Sequence, residues 1–112
     1  MKILVCGGRR YGDAKTVAHY LDHFRGQVTM VIQGGAQGAD RLAKQWAEGH
    51  GVHCAEVIAL WNTYSRAAGS RRNIAMLELK PDLCIAFPGG PGTADMVRQC
   101  KRTNVTVIEV TR

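Results

Sequence analysis

Three short stretches of the chain combine glycine with groups that suit anions. They are Gly7-Gly8-Arg9-Arg10, Gly34-Gly35-Ala36-Gln37-Gly38-Ala39-Asp40 and Pro88-Gly89-Gly90-Pro91-Gly92-Thr93. Glycine permits positive φ and close backbone approach, so amides in such stretches can point at a phosphate. The second and third run directly into helix-like segments, whose free N–H groups and dipole favour negative charge. Thr93 can cap its helix or donate its hydroxyl to a phosphate. Arginine adds a planar fork that lysine cannot copy, and Arg9, Arg10, Arg66, Arg71 and Arg72 are the candidates. Neither longer loop carries the Gly-Lys-Ser/Thr of a Walker A sequence, and neither reads GxGxxG. No cofactor is therefore expected.

The residues around these loops sort by spacing. Tyr11, Trp61 and Tyr64 have rings that can stack on a base, whereas Trp46 lies on a helical apolar stripe and reads as core. Cys6, Cys54, Cys84 and Cys100 contain no CxxC pair and read as small buried hydrophobes of a reducing compartment. His19 and His23 stand one helical turn apart without an HExxH frame. No metal is expected.

The elements that must position the loops alternate regularly. Ile3–Cys6 reads as a strand, followed by a helix capped by Asp13 with Val17, Tyr20, Leu21 and Phe24 on one face, stopped at Gly26. Val28–Ile32 is a second strand, and Leu42, Ala43, Trp46 and Ala47 mark a second helix. Val52–Ile58 alternates weakly, as an edge strand does. Residues 63–79 read as a third helix interrupted by Gly69, or as a loop to Ser70 followed by a helix. Leu83–Phe87 is a fourth strand, Met96, Val97 and Cys100 mark a fourth helix, and Val105–Val110 is the last strand. Strands alternating with helices predict a three-layer α/β/α, Rossmann-like fold with a five-stranded parallel sheet in the order 3-2-1-4-5, as one domain over 1–112. Ligands of such sheets bind beyond the carboxyl ends of the strands, where the strand order reverses. All three glycine loops belong to that edge, and Arg9 belongs on its rim.

Composition bounds the partners. Fifteen Lys and Arg against nine Asp and Glu give a net charge of +6, which favours an anionic ligand, a nucleotide or a nucleic acid. No apolar run approaches the roughly 18 residues of a membrane helix, and the chain opens on a strand-like run without the layout of a signal peptide. A cytoplasmic protein with no membrane partner is expected.

The glycine loops carry a family resemblance over essentially the whole chain. Gly34-Gly35-Ala36-Gln37-Gly38-Ala39-Asp40 resembles the GGAxGxD loop of the DprA/Smf DNA-processing proteins. Pro88-Gly89-Gly90-Pro91-Gly92-Thr93 resembles the PGGxGT motif of the Lonely Guy (LOG) phosphoribohydrolases. Both families belong to the SLOG superfamily of Rossmann-like nucleotide-binding proteins. Gly7-Gly8-Arg9, the Trp61 region, and Ala68-Gly69 with Arg72-Asn73 are most similar to the small, single-domain YspA-type branch. The resemblance implies a phosphate and ribose site, a nucleotide-derived ligand and a homo-oligomer, with single-strand nucleic-acid binding as the DprA-type alternative. It matches Arg72 to the catalytic arginine of LOG enzymes. LOG enzymes also carry a glutamate as PGGxGTxxE, and here Met96 occupies that position. A LOG-type N-glycosidase would therefore need a different acid, with Asp40 and Asp95 the candidates at the ends of the loops. Each also has a plainer reading, Asp40 in holding its loop through backbone amides and Asp95 in compensating a helix dipole. The implied ligand-binding set is Gly7, Gly8, Arg9, Gly34, Gly35, Ala36, Gly38, Asp40, Arg72, Asn73, Pro88, Gly89, Gly90, Gly92 and Thr93.

Overall fold

The computed structural model describes residues 1–111. Five strands, β1 (Lys2–Cys6), β2 (Met30–Gln33), β3 (His53–Glu56), β4 (Leu83–Ala86) and β5 (Thr106–Glu109), form one sheet. Its order is β3-β2-β1-β4-β5, with every neighbouring pair parallel. The expected fold and strand order are those observed. Ile3 lies in register with Val31 on one side and Leu83 on the other, so β1 is central. Strand order reverses between β1 and β4, which places the crevice over their carboxyl ends.

Alternation along β1 splits the core into two layers. Ile3 and Val5 join Val31, Ile85 and Phe87 beneath α1 (Ala14–Asp22) and α2 (Ala39–Gly49), whose Val17, Leu21, Ala43 and Trp46 complete that layer. Leu4 and Cys6 join Ile32 and Cys84 on the opposite face, beneath α4 (Ala68–Glu78) and α5 (Pro91–Arg102), which contribute Met76, Met96, Val97 and Cys100. Burying each large side chain contributes about 1.5–3 kcal/mol. The outer strands β3 and β5 are only half covered, as the weak alternation of residues 52–58 anticipates.

Local chemistry fixes the helix ends. Asp13 caps α1, its carboxylate accepting from the Thr16 amide at 3.0 Å and the Thr16 hydroxyl at 2.6 Å. Trp46 is core, and its indole N–H donates to Asp22 at 2.8 Å, tying α2 to α1. The 63–79 segment departs from both expected forms. A short helix α3 (Trp61–Tyr64) ends at Ser65, whose φ of +48° breaks the helical path, and a single 3-10 turn (Ser65–Ala67) leads into α4. Gly69 then sits inside α4, where a Cβ would stand 3.6 Å from the Trp61 ring. The break is at a serine that composition does not mark.

Candidate functional site

The three glycine loops meet over the ends of β1, β2 and β4. Gly8 is the junction. Its N–H donates to Pro88 O at 2.9 Å, and its carbonyl accepts from the amides of Tyr11 at 3.1 Å and Ala39 at 3.3 Å. Close packing enforces glycine here. A Cβ on Gly7 would fall 2.6 Å from the Ala39 Cβ, and one on Gly38 would strike the Gly8 carbonyl oxygen. Gly38 also has φ +75°, where side chains are strained.

The Gly34–Asp40 loop turns its amides inward. The Asp40 carboxylate accepts from the N–H groups of Gly34 and Ala36, each at 3.2 Å, while Gly35 N donates to the Gln33 side chain at 2.6 Å. These are the amides a phosphate cradle would need, and they are already used. Asp40 is only 6% exposed. Burial pushes its carboxyl up to about 6, against the lowering pull of the Ala36 amide, the Arg72 guanidinium and the Gly34 amide. Its geometry is that of a loop anchor. Gln33, wholly buried at the end of β2, also donates to Glu56 on β3 at 2.9 Å and so fixes the loop from the other side. Sequence reasoning passed over Gln33, whose only mark is its place before the double glycine.

Arg72 and Asn73 reach this edge from α4. The Arg72 guanidinium donates through Nη1 to Gly34 O at 2.9 Å and through Nε to the Asn73 side-chain oxygen at 3.1 Å. Asn73, buried, donates in turn to Gly92 O at 3.2 Å and to Asp95 at 2.9 Å. Asp95 also accepts from Gln99 at 2.7 Å and lies 3.4 Å from Arg98. The two candidate acids are thus both held by protein donors, Asp40 in the loop and Asp95 between α4 and α5. Gln99 is a second polar residue the sequence did not single out. Met96, at the position of the LOG glutamate, is fully buried in the apolar layer beneath the sheet.

The Pro88–Thr93 loop is built differently. Gly89 is packed against Thr93 Oγ1 and lies close to Gly8 N. Gly90 caps α5 with no side-chain hydrogen bond, and Pro91 opens the helix. Neither Gly90 nor Gly92 has any atom within 4 Å of where a Cβ would stand, and neither has left-handed φ. A cavity of about 310 Å³ opens beside this loop, bordered by Phe87, Gly90, Thr93, Arg98 and Glu109.

Exposed cations rim the crevice. Arg9 lies at the Gly8–Gly38 contact, Arg10 follows it and Arg41 is in the first turn of α2; all three are exposed, and among the described residues none pairs with a carboxylate. Arg66 is exposed, and Arg71 lies over the Tyr64 ring, 4.4 Å from its centroid. Among the described residues Arg10, Arg66 and Arg71 form no ion pair with Glu78 or Asp82, and Asp82 accepts from the Lys2 amide at 2.7 Å. Tyr11 packs against Phe87 at 5.3 Å between centroids, away from Trp61 and Tyr64, so the three rings expected to serve a base do not form one platform. Cys6, Cys84 and Cys100 are buried thiols, with Cys6 and Cys84 sulfurs 3.8 Å apart. Among the described residues no group of three or more His, Cys, Asp or Glu side chains could hold a metal ion, and no helix is long and apolar enough to cross a membrane.

A parallel sheet ordered 3-2-1-4-5, with glycine loops gathered at its switch point, defines a Rossmann-like α/β protein. The model of the YspA, cpYpsA-related SLOG family matches residues 1–64, and the chain belongs to that family. It is similar to the Gene 61 protein of Mycobacterium phage D29, with 34% identity over 117 aligned residues covering 96% of this chain and 94% of that one. Among solved structures it is similar to DNA processing protein A (DprA) from Streptococcus pneumoniae, with TM-score 0.56 and 16% identity over 96% of this chain. The chain spans 58% of the length of that DprA chain, and the likeness is one of fold.

Proposed function

We propose that the protein binds the phosphate of a nucleotide-derived ligand at the start of α5, as a sensor or sequestering protein. The observation that carries this reading is the pair Gly90 and Gly92. The fold gives neither a steric nor a conformational need for glycine at either, and Gly90 with its neighbour Gly89 borders an open cavity at a helix start whose cap contributes no side chain. The first N–H groups of such a helix lack intrahelical partners and suit an anion. Thr93 supplies a hydroxyl beside them. Gly7, Gly8 and Gly38 hold the loops together, Asp40 and Gln33 brace the second loop, and Arg9 adds charge at the rim. Hydrolysis of the LOG type finds less support. It needs an acid free to reach the sugar, whereas Asp40 and Asp95 are each held by two or more protein donors.

Thermal unfolding against a panel of nucleotides and ADP-ribose derivatives, with mass spectrometry of each mixture, tests the reading. A ligand at about 100 times its Kd adds about 2.7 kcal/mol, or roughly 10 °C for a domain of this size. A shift with the ligand intact supports binding without turnover. A shift with release of base or ribose phosphate would replace it with an enzyme. No shift across the panel would sink it.

The unpaired Arg9, Arg10 and Arg41 favour a second reading, a single-stranded nucleic acid laid along the rim. Its affinity would fall steeply with salt. Absence of a gel shift at low salt would remove it.

A further inference from the structure

The edge of β3 carries a groove that the phosphate site leaves unexplained. It has a volume of about 530 Å³ and lies between the end of β3 and α4, with Ile58, Leu60, Tyr64, Ile74, Arg71 and Arg72 among its walls. Of the six exposed large hydrophobic side chains in the described chain, four line this groove (Ile58, Leu60, Tyr64 and Ile74), and Trp61 lies in the same helix as Tyr64. Apolar side chains gathered this way on a small protein mark a binding surface. The groove falls within the size range of small-molecule sites, about 300–1,000 Å³.

Its position relative to the glycine loops selects the occupant. Arg72 forms part of the groove wall and bonds Gly34 O, while its Nε reaches Asn73, which bonds Gly92 O in the first turn of α5. Two adjacent residues of α4 therefore link the groove wall to the first turn of α5. On the other side, Gly35 sits against Ile58 and Glu56, so the second glycine loop forms the near lip. The walls are those a flat heterocycle requires. Tyr64 offers a ring already stacked beneath the Arg71 guanidinium, Ile58, Leu60 and Ile74 offer apolar contact, and the exposed Glu78 can accept from an exocyclic amine. A lipid tail would leave the arginines and Glu78 without purpose.

We infer that this groove holds the nucleobase of the ligand whose phosphate binds at the start of α5. The inference rests on the phosphate reading and adds the moiety that gives selectivity. Ribose 5-phosphate then carries only the phosphate and sugar contacts, and a nucleoside 5′-monophosphate adds the base.

Isothermal titration of the full chain with ribose 5-phosphate and with the four common nucleoside 5′-monophosphates tests it, in the native protein and in Ala75→Phe and Tyr64→Ala. Ala75 lines the groove and is half-buried, so a phenyl ring there fills the space; Tyr64 is exposed, so its removal spares the core. At least one monophosphate should bind about tenfold or more tighter than ribose 5-phosphate, as stacking of one base is worth. Both variants should reduce that ratio towards one while ribose 5-phosphate affinity stays unchanged. Equal binding of sugar phosphate and monophosphates by the native protein would overturn the base site and leave the phosphate reading standing. Binding of neither would overturn both. A dimer in sedimentation that Ile74→Glu dissociates, with the nucleotide ratio unaltered by Ala75→Phe, would assign the groove to a second copy and overturn the inference.

Discussion

Gly38→Ala isolates the contact on which the loop assembly depends. The added methyl would meet the Gly8 carbonyl oxygen and stand 2.7 Å from the Arg9 carbonyl carbon and oxygen. Both obstacles are backbone, so no rotamer change relieves them. The residue also has φ +75° with ψ −129°, backbone open essentially to glycine alone, which costs another side chain roughly 1–3 kcal/mol. Relief requires the Gly8 segment to move, which loosens the bonds from Ala39 N to Gly8 O and from Gly8 N to Pro88 O. Each is worth about 1 kcal/mol net. The expected loss is therefore about 3–5 kcal/mol, or a fall in Tm of roughly 12–20 °C. Differential scanning calorimetry reads it directly. Gly90→Ala is the control, because its methyl meets no atom within 4 Å and its φ is −101°. That variant should melt within about 2 °C of the native protein, since alanine there also restricts the unfolded chain. Equal melting of Gly38→Ala and Gly90→Ala would refute the argument that the Gly8–Gly38 contact holds the loops.

Asp40 predicts a pH dependence. Its carboxyl rises from 3.8 to about 6 on folding, so between those pH values the native state holds a proton that the unfolded state releases. Its contribution therefore declines as pH rises from about 4 to 6, by up to about 3 kcal/mol at 1.36 kcal/mol per unit. Asn in its place keeps an oxygen for the Gly34 and Ala36 amides. Subtracting the Asp40→Asn stability profile from the native one should leave this downward slope, and a flat or rising difference would contradict it. Met96→Glu should place a carboxyl in the fully buried layer with Leu4 and Cys84, costing about 3 kcal/mol or more in urea unfolding without yielding ribose phosphate release. Normal stability together with hydrolysis would mean that position 96 faces the crevice.

The sheet was legible because each buried strand is a short apolar run closed by glycine, as with Ile3–Cys6 before Gly7 and Leu83–Phe87 before Gly89. Two-sided burial erases the period-two signal, yet the alternation with helical stripes compensates, and strand order then follows from handed crossovers. Strand ends shifted by a residue or more, because Val28, Val52 and Val110 continue the apolar pattern beyond the ladder hydrogen bonds. At the site, the loops were visible in composition, but which of their amides remain free for a ligand was not. The plainer reading of Asp40, that it holds its loop through backbone amides, is the one observed, but which amides it takes, those of Gly34 and Ala36, depends on how its side chain folds back from the first turn of α2. Asp95 shows the same effect: its partners Asn73 and Gln99 arrive from α4 and from one turn along α5. The break at Ser65 escaped prediction because a serine at positive φ carries no compositional mark, unlike the glycine four residues on.

Gly8 also has a consequence for how the molecule assembles. One residue accepts from Tyr11 and Ala39 and donates to Pro88, thereby joining segments made early, midway and late in synthesis. The crevice has no stable half. A nascent chain that has not yet delivered β4 has a central strand without one of its neighbours and a Gly8 amide without its acceptor. Folding of the sheet and creation of the site are therefore one cooperative event. The Gly8 amide should exchange with solvent at the rate of global unfolding, making it a reporter of the whole fold from within the site.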